Sequence, residues 1–175
     1  MNSSQKILPL GSLKRITEKL HREGEKIAFT NGCFDILHFG HVRYLESAKK
    51  DGRVLIVGLN SDRSIRNSKG PNRPIMTQKQ RAALLAALAC VDYVTIFNET
   101  TPLKVIQTLR PDILIKGADW KGKEVAGGDL VKSCGGRLEF IRYLPAFSTT
   151  KIIQSIIHSV QNQCEKNIPD HRRQF

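Results

Sequence analysis

The chain has 175 residues, of which 40% are hydrophobic and 25% are charged, a composition typical of globular proteins that excludes a mainly disordered chain. This length suits one compact domain. No apolar run approaches the roughly 18 to 20 residues that cross a bilayer, and the first ten residues lack the apolar stretch of a secretory signal. The sequence therefore predicts a cytoplasmic protein without a membrane partner.

The net charge of +12 is concentrated in one region. Residues 43–81 contain ten Lys or Arg and three Asp or Glu, so they contribute +7 of the total. Such a local excess favours an anionic partner, either a nucleic acid or a phosphorylated small molecule. The four cysteines are scattered without zinc-binding spacing, which predicts reduced thiols; they are Cys33, Cys90, Cys134 and Cys164.

A first helix is predicted over residues 12–21, where Leu13, Ile16 and Leu20 recur at helical spacing, Ser12 can cap the first turn and Gly24 ends the helix. Five short apolar runs follow, each bounded by Gly, Asp or Pro and typical of buried strands. They cover residues 26–30, 53–59, 92–97, 112–117 and 137–141.

Helical patterns lie between and after these runs, at residues 40–50, 77–89, 102–109, 128–133 and 149–159. Alternating strands and helices predict an α/β fold with a doubly wound parallel five-stranded sheet. We predict an N-terminal helical segment (1–24), one domain (25–160) and a polar C-terminal tail (161–175). In such sheets ligands bind beyond the carboxyl ends of the strands, where the winding reverses, so the loop after the first strand is the expected site.

That loop contains His38 and His41 on either side of Gly40, at the start of a predicted helix. A helix N-terminus with glycine nearby binds phosphate, and two imidazoles can donate hydrogen bonds to phosphoryl oxygens. Either histidine alone could equally be a cap or a core residue. A metal site with Asp35 would need further ligands, and the loop lacks the pattern of a phosphate-binding P-loop.

Residues 32–41, GCFDILHFGH, resemble the motif of the cytidylyltransferase-like nucleotidyltransferases. The resemblance implies a Rossmann-like nucleotidyltransferase fold in which the two histidines hold a nucleoside triphosphate while a substrate phosphate attacks its α-phosphorus. On this basis the nucleotide-binding residues of the loop are Gly32, Cys33, Phe34, His38, Gly40 and His41. Asn31 and Asp35 are candidates for binding the sugar phosphate.

Residues 63–81 carry six Lys or Arg and no acidic residue, and the Gly and Pro residues from 70 to 74 predict a loop. Ordinary solvation explains three of these cations, Arg63, Arg66 and Lys79. The resemblance implies that Lys69 and Arg81 act with the histidines in catalysis by reaching the triphosphate and the incoming phosphate. Arg73 is a weaker candidate for binding the sugar phosphate.

Two further segments are predicted to bind the nucleotide. Ser148, Thr149 and Thr150 precede the last helix, where one hydroxyl is explained as an N-cap and the others can form a second anion cradle, as the family motif implies. Asp119 follows the fourth strand; it could contact a ribose or sugar hydroxyl, orient a basic side chain, or simply occupy a turn before Trp120.

Several blocks in order are similar to D-glycero-D-manno-heptose 1-phosphate adenylyltransferases, the nucleotidyltransferase part of a bifunctional kinase/adenylyltransferase: FTNGCFDILHFGHVRYL, GLNSDRSIR, RPDILIKGADW and FSTTKII. The resemblance implies ATP and a sugar 1-phosphate as substrates, Mg²⁺ carried on the ATP, ADP-heptose for lipopolysaccharide biosynthesis as the product, and a homodimer. No kinase segment is present in the sequence, so a separate kinase is expected to supply the sugar phosphate.

Two alternatives remain. Glycerol-3-phosphate cytidylyltransferases share HxGH and G-x-D-W, but they typically have R-T-x-G-I where this chain has YLPAF at residues 143–147, a difference that favours ATP. A basic nucleic-acid-binding module is the alternative from another class. Aromatic residues make up only 6% of the chain and no RNA-recognition or zinc-finger pattern is visible, so we predict no nucleic-acid partner.

Overall fold

The computed structural model describes residues 2–50, 52–142 and 147–166, with side chains to residue 163. The helices in these ranges are α1 (Leu10–Arg22), α2 (Phe39–Ala48), α3 (Asp62–Lys69), α4 (Gln78–Ala87), α5 (Leu103–Leu109), α6 (Gly128–Ser133) and α7 (Thr149–Lys166). The strands are β1 (Ile27–Gly32), β2 (Val54–Asn60), β3 (Tyr93–Phe97), β4 (Ile113–Gly117) and β5 (Arg137–Ile141). Short 3₁₀ turns lie at Ser3–Lys6 and Ala118–Trp120.

The five strands form one parallel sheet in the order β3-β2-β1-β4-β5, which confirms the predicted doubly wound α/β fold. One apolar cluster joins α2 and α4 to the sheet through residues such as Leu45, Val57 and Leu85. A second cluster, which includes Leu13 and Ile106, packs α1, α5 and α6 on the opposite face. Because helices cover both faces, the strands read as continuous apolar runs.

The sheet opens at the reversal of its winding, between β1 and β4. β1 pairs with β2 along its whole length, from Ile27 to Gly32. Its pairing with β4 is limited to Ala28 with Ile113 and Phe29 with Leu114. The last residues of β1 and β4 are therefore not joined by backbone pairing, and their carboxyl ends border a crevice of the kind that binds ligands in doubly wound sheets.

One prediction about local structure was wrong. The start of the segment predicted as a basic loop, residues 63–69, lies in helix α3, which Ser61 caps by accepting a hydrogen bond from the Ser64 amide. Asp62 in its first turn and Lys69 in its last turn both match the helix dipole. The capping serine and the favourable end charges were a helix signal that the Gly and Pro residues after position 69 obscured.

The two ends of the chain also differ from expectation. α1 begins at Leu10 after Pro9, so Ser12 lies inside the helix and does not cap it. α7 continues to Lys166, so the first part of the predicted polar tail is helical. Residues 167–175, and residues 143–146 with which the ATP preference was argued, lie outside the described residues. The domain boundaries stay a prediction.

Cys33, Cys90 and Cys134 are free thiols, and the side chain of Cys164 is not described. Within the described ranges, no helix combines the length and the hydropathy needed to cross a bilayer.

Candidate active site

A cavity of about 350 Å³ lies at the carboxyl ends of β1 and β4 and the start of α2. Eight of the predicted site residues line it: Asn31, Gly32, Cys33, Phe34, Gly40, His41, Lys69 and Asp119. Four residues that were not predicted complete the lining: Tyr44, Lys116, Gly117 and Trp120. A larger cavity of about 660 Å³ lies between α1 and α5, but no predicted site residue lines it, so we take the crevice cavity as the candidate site.

A strained turn connects β1 to α2. Phe34 and Ile36 have positive φ angles of 45° and 52°, a left-handed conformation that side chains other than glycine rarely adopt. The Phe34 ring folds back onto Gly32, where an added Cβ would lie 3.0 Å from the Phe34 Cε2 atom. Gly32 therefore makes room for an aromatic ring, which is a different reason for glycine from the anion approach inferred from the sequence.

His38 and His41 stack against each other, with ring centroids 3.8 Å apart and ring planes inclined by 20°. His38 is the N-cap residue of α2, and His41 lies in the first turn. Of the two, only His41 lines the cavity; His38 is 8% exposed and packs on His41. The stack depends on Gly40, because a Cβ there would lie 3.1 Å from the Cε1 atom of the His38 ring.

The two rings are short of hydrogen-bond partners. The Nδ1 atoms of both His38 and His41 are buried without a partner, a costly arrangement in a folded protein. Burial lowers the pKa of His38, and burial together with the nearby His38 and Lys69 charges lowers the pKa of His41 to about 4. Both imidazoles are therefore neutral at pH 7. A bound polyanion would provide acceptors and would favour protonation of the rings.

Asp35 does not line the cavity. Its carboxylate is 1% exposed and accepts hydrogen bonds from the Arg73 guanidinium and from the amides of Ile75 and Met76. Burial acts to raise the pKa of Asp35, but the hydrogen bonds from Met76, Ile75 and Arg73 outweigh it and hold the pKa below its usual value. Asp35 thereby fastens the segment 73–76 to the loop after β1.

Arg81 is fully buried, and each of its three guanidinium nitrogens donates at least one hydrogen bond. It donates to the carbonyl oxygens of Met76, Cys33 and Asn60 and forms an ion pair with Asp62 at 2.7 Å. Neither Arg81 nor Arg73 lines the cavity. Arg73 and Arg81 instead connect neighbouring loops through their hydrogen bonds and ion pairs. The phosphate contacts predicted for these two arginines would require those bonds to break. Lys69, at the end of α3, is the predicted cation of this segment that does line the cavity.

The hydroxyl run before α7 lies beside the same loop. Ser148 Oγ accepts a hydrogen bond from the Lys151 amide and so caps α7. Thr149 Oγ1 donates to the Asp35 carbonyl oxygen at 2.7 Å, and the Phe147 ring packs on Phe39 at 5.1 Å between centroids. The structure thus brings the starts of α2 and α7 together, although Ser148, Thr149 and Thr150 do not themselves line the cavity.

Sequence reasoning missed the side of the cavity formed by β4 and α2. Lys116 interrupts the apolar strand ILIKG and bonds to the Asn31 side-chain oxygen across the crevice. Tyr44 bonds to Thr30 at 2.8 Å, and burial raises the pKa of Tyr44 to about 12. A lysine within an otherwise apolar strand next to the reversal of winding was the available signal for Lys116. No comparable sequence signal existed for Tyr44, since aromatic residues in helices usually pack in cores.

Asp119 lines the cavity close to Gly117. An added Cβ at Gly117 would lie 2.3 Å from the Asp119 Oδ1 atom, so glycine is required for this carboxylate to fold back over the strand end. Among the described residues, no group of three or more His, Cys, Asp or Glu side chains is placed to hold a metal ion.

Comparisons with known proteins show the family to which the chain belongs. The cytidylyltransferase-like family model matches residues 29–155, which include every predicted site residue. The chain belongs to the cytidylyltransferase-like family. It is accordingly a nucleotidyltransferase, and its parallel sheet is the Rossmann-like sheet of that family.

Among its relatives is the bifunctional protein HldE of Helicobacter pylori, 54% identical over 151 residues, which are 86% of this chain and 31% of the relative. The HldE of Syntrophotalea carbinolica is 53% identical over 146 residues, 83% of this chain and 30% of the relative. The chain thus spans about a third of these relatives' length. A crystal structure of the lipopolysaccharide core biosynthesis protein from Thermoplasma volcanium aligns with a TM-score of 0.56 and 30% identity, covering 68% of this chain and 96% of that one.

Proposed function

We propose that the chain transfers the adenylyl group of ATP to D-glycero-D-manno-heptose 1-phosphate, giving ADP-heptose and pyrophosphate. The observation that carries the reaction type is the stacked pair His38 and His41, whose buried Nδ1 atoms lack partners beside a cavity at the sheet's crevice. The sugar is inferred from the sequence blocks shared with heptose 1-phosphate adenylyltransferases and from the identity of about half with HldE proteins.

The proposed step is a direct displacement at phosphorus. An oxygen of the sugar phosphate attacks the α-phosphorus of ATP, the bond from that phosphorus to the bridging oxygen breaks, and pyrophosphate carries away the electron pair. A phosphate monoester is already ionised at neutral pH, so no general base is needed. Acceleration must come from alignment of the two substrates and from stabilisation of the negative charge.

Three features would hold the triphosphate. The N-terminus of α2 provides the positive end of a helix dipole. His41, supported by the His38 ring stacked on it, faces the cavity with Lys69. Removing one well-placed donor of this kind costs about 3 kcal/mol, roughly a hundredfold in rate. Arg81 and Arg73 act indirectly, because they keep the loops that carry these groups in place.

On the other side of the cavity, which Asp119 and Asn31 line, Asp119 would accept a hydrogen bond from a ribose or sugar hydroxyl, and Asn31 would lie on the side of the sugar phosphate. Mg²⁺ would arrive on the ATP and neutralise part of the triphosphate charge. Asp119 is the carboxylate in the cavity lining, so the phosphate oxygens would supply most of the ligands of that ion.

The wider biological predictions follow from the same resemblance. The product would serve lipopolysaccharide biosynthesis, and a kinase activity outside the residues of this chain would supply the heptose 1-phosphate. The homodimer also stays a prediction. Ile156, Ile157 and Val160 on α7 are half exposed, which is compatible with an interface but does not identify the partner.

A glycerol-3-phosphate cytidylyltransferase is the second candidate, favoured by Asp119 and Trp120 of the G-x-D-W motif, which line the cavity. A pyrophosphate-release assay over ATP and CTP, each with heptose 1-phosphate and glycerol 3-phosphate, separates the two. We expect the highest kcat/KM for ATP with heptose 1-phosphate. Preference for CTP with glycerol 3-phosphate would replace the proposed substrates. Salt-sensitive binding of RNA or DNA without pyrophosphate release from any pair would instead support a nucleic-acid-binding module.

A further inference from the structure

Lys116 is a buried lysine at the carboxyl end of β4, and none of the roles proposed above uses it. It is 8% exposed, and its ammonium group donates a hydrogen bond to the Asn31 side-chain oxygen. The same group lies 5.4 Å from the centroid of the Trp120 ring. None of the ion pairs in the described ranges includes it.

A buried cation whose contacts are an amide oxygen and an aromatic ring is incompletely compensated. Burial lowers the pKa of Lys116 to about 8, although the Asp119 carboxylate acts in the opposite direction. The free-energy cost of burying the Lys116 charge would disappear if a neutral side chain of similar size were packed in the same place. An incompletely compensated ionisable group that lines a cavity is a candidate for binding a ligand.

The position of Lys116 in the sheet indicates which ligand it meets. Pairing between β1 and β4 stops at Phe29 and Leu114, and the bond from Lys116 to Asn31 joins the two strands where they have parted. His41 and Lys69 come to the cavity from α2 and α3, whereas Lys116 comes from β4. The cavity therefore has a second cationic group, supplied by a different element from those assigned to the triphosphate.

We propose that Lys116 binds the phosphate monoester of the acceptor substrate, with Asn31 holding its ammonium group in place until that phosphate arrives. This inference rests on the proposed nucleotidyl transfer, because the acceptor phosphate must lie next to the α-phosphorus of the nucleotide. The bound dianion supplies the counter-charge that the free protein lacks. Lys116 is thus a substrate-binding residue, and Asn31 is a positioning residue.

Trp120 makes the proposal testable by binding as well as by turnover. It is the only tryptophan in the chain, so its fluorescence reports on the surroundings of the Lys116 ammonium group. The variants are Lys116→Met, which keeps the side-chain length without the charge, and Lys116→Arg, which keeps the charge. Lys121→Met is the matched control, since Lys121 adjoins Trp120 in the sequence but is exposed and does not line the cavity.

In steady-state assays, Lys116→Met should raise the KM for heptose 1-phosphate on the order of 10-fold or more, the effect of losing one hydrogen bond to a charged group. The KM for ATP should stay within about threefold of wild type in the same assay, because Lys116 does not bind the triphosphate. Lys116→Arg should recover part of the loss, and Lys121→Met should behave as wild type. Thermal melting should show Lys116→Met to be at least as stable as wild type, because it removes a buried cation.

The pH dependence gives a second readout. The other titratable side chains that line the cavity with Lys116 are Cys33 after β1, His41 and Tyr44 from α2, Lys69 from α3 and Asp119 after β4. As the pH rises through about 8, the free protein loses the Lys116 proton, so the KM for the acceptor should rise. In Lys116→Arg this rise should be absent.

Fluorescence titrations with inorganic phosphate and with glucose 1-phosphate separate this inference from the proposed function. If the wild-type protein releases no pyrophosphate with any substrate pair, the proposed function fails, yet weaker phosphate binding in Lys116→Met alone would still support the role of Lys116. The inference is overturned if Lys116→Met binds the acceptor and both probes like wild type, if it raises the KM for ATP instead, if Lys121→Met shows the same loss, or if the wild-type protein binds no phosphate monoester.

Discussion

The loop after β1 and the basic segment after β2 were both predicted to bind phosphate, but their side chains differ in whether they have polar partners within the protein. In the first loop, the His38 and His41 rings keep buried Nδ1 atoms without partners beside the cavity. In the second, Arg73 and Arg81 are tied by ion pairs to Asp35 and Asp62. We propose that the first region binds the ligand through its unsatisfied rings, whereas the paired arginines of the second hold the loops in place. The lack of a partner does not by itself mark the site, because Arg53 Nε and Thr95 Oγ1 are also buried without a partner and do not line the cavity.

The largest expected effect on stability is at Arg81. Arg81→Leu should lower the free energy of unfolding by about 3 to 5 kcal/mol, because it leaves the Asp62 carboxylate and three carbonyl oxygens without their donor in the interior. Urea unfolding measures the change. The exposed Arg63→Leu, on the same helix as Asp62, is the control and should be nearly neutral. A stable Arg81→Leu protein that had lost only activity would show that Arg81 contacts substrate.

His41→Ala should lower activity and leave stability largely unchanged, the opposite of Arg81→Leu. We expect kcat to fall about a hundredfold, equivalent to about 3 kcal/mol, with the fold retained. His38→Ala should also lower kcat steeply, because the His38 ring supports His41 through the stack. The exposed His158→Ala on α7 is the control, and pyrophosphate release is the measurement. Turnover near wild type in both His38→Ala and His41→Ala would refute the proposed role of the pair.

The buried histidines also predict an acid-sensitive fold. In the unfolded chain His41 binds a proton near pH 6.5, but in the folded protein its pKa is about 4. The contribution of His41 to the free energy of unfolding should therefore be constant well above pH 6.5 and fall as the pH drops towards 4, by about 2 kcal/mol after solvent screening of a partly exposed ring.

Chemical denaturation at pH 7, 6 and 5 tests this dependence. The range lies above that in which the buried carboxylates, such as Asp35, take up protons. His41→Asn should flatten the dependence, and the part that remains should come from His38, whose pKa burial also lowers. An unchanged slope in His41→Asn would contradict the assigned pKa of His41.

Lys69→Met should give the smallest effect of the four. Because Lys69 lies at the end of α3 and lines the cavity, we expect the KM for ATP to rise about tenfold with little change in stability. Lys79→Met, an exposed lysine of the same basic segment, is the control. Equal effects of the two substitutions would mean that the segment acts only through its overall charge.

Much of the fold was predictable because it depends on local patterns. The five strands were placed to within two residues at each end, and β5 was placed at Arg137–Ile141 as observed. Helix α3 was missed because Gly70 and two prolines after it indicated a loop, whereas Ser61 and the charges at the ends of the helix stabilise it locally. The roles of the individual site residues stay predictions until the substitutions are made.

The sequence by itself determined the parallel sheet, the loop that we propose to bind the ligand and the glycine between the two histidines, because these depend on residues that are close along the chain. Only the tertiary structure decided which cations reach the cavity. Arg73 meets Asp35 across 38 positions and Lys116 meets Asn31 across 85. Whether a basic side chain supports a loop or faces a substrate depends on such distant partners, and the spacing of residues in the sequence does not encode them.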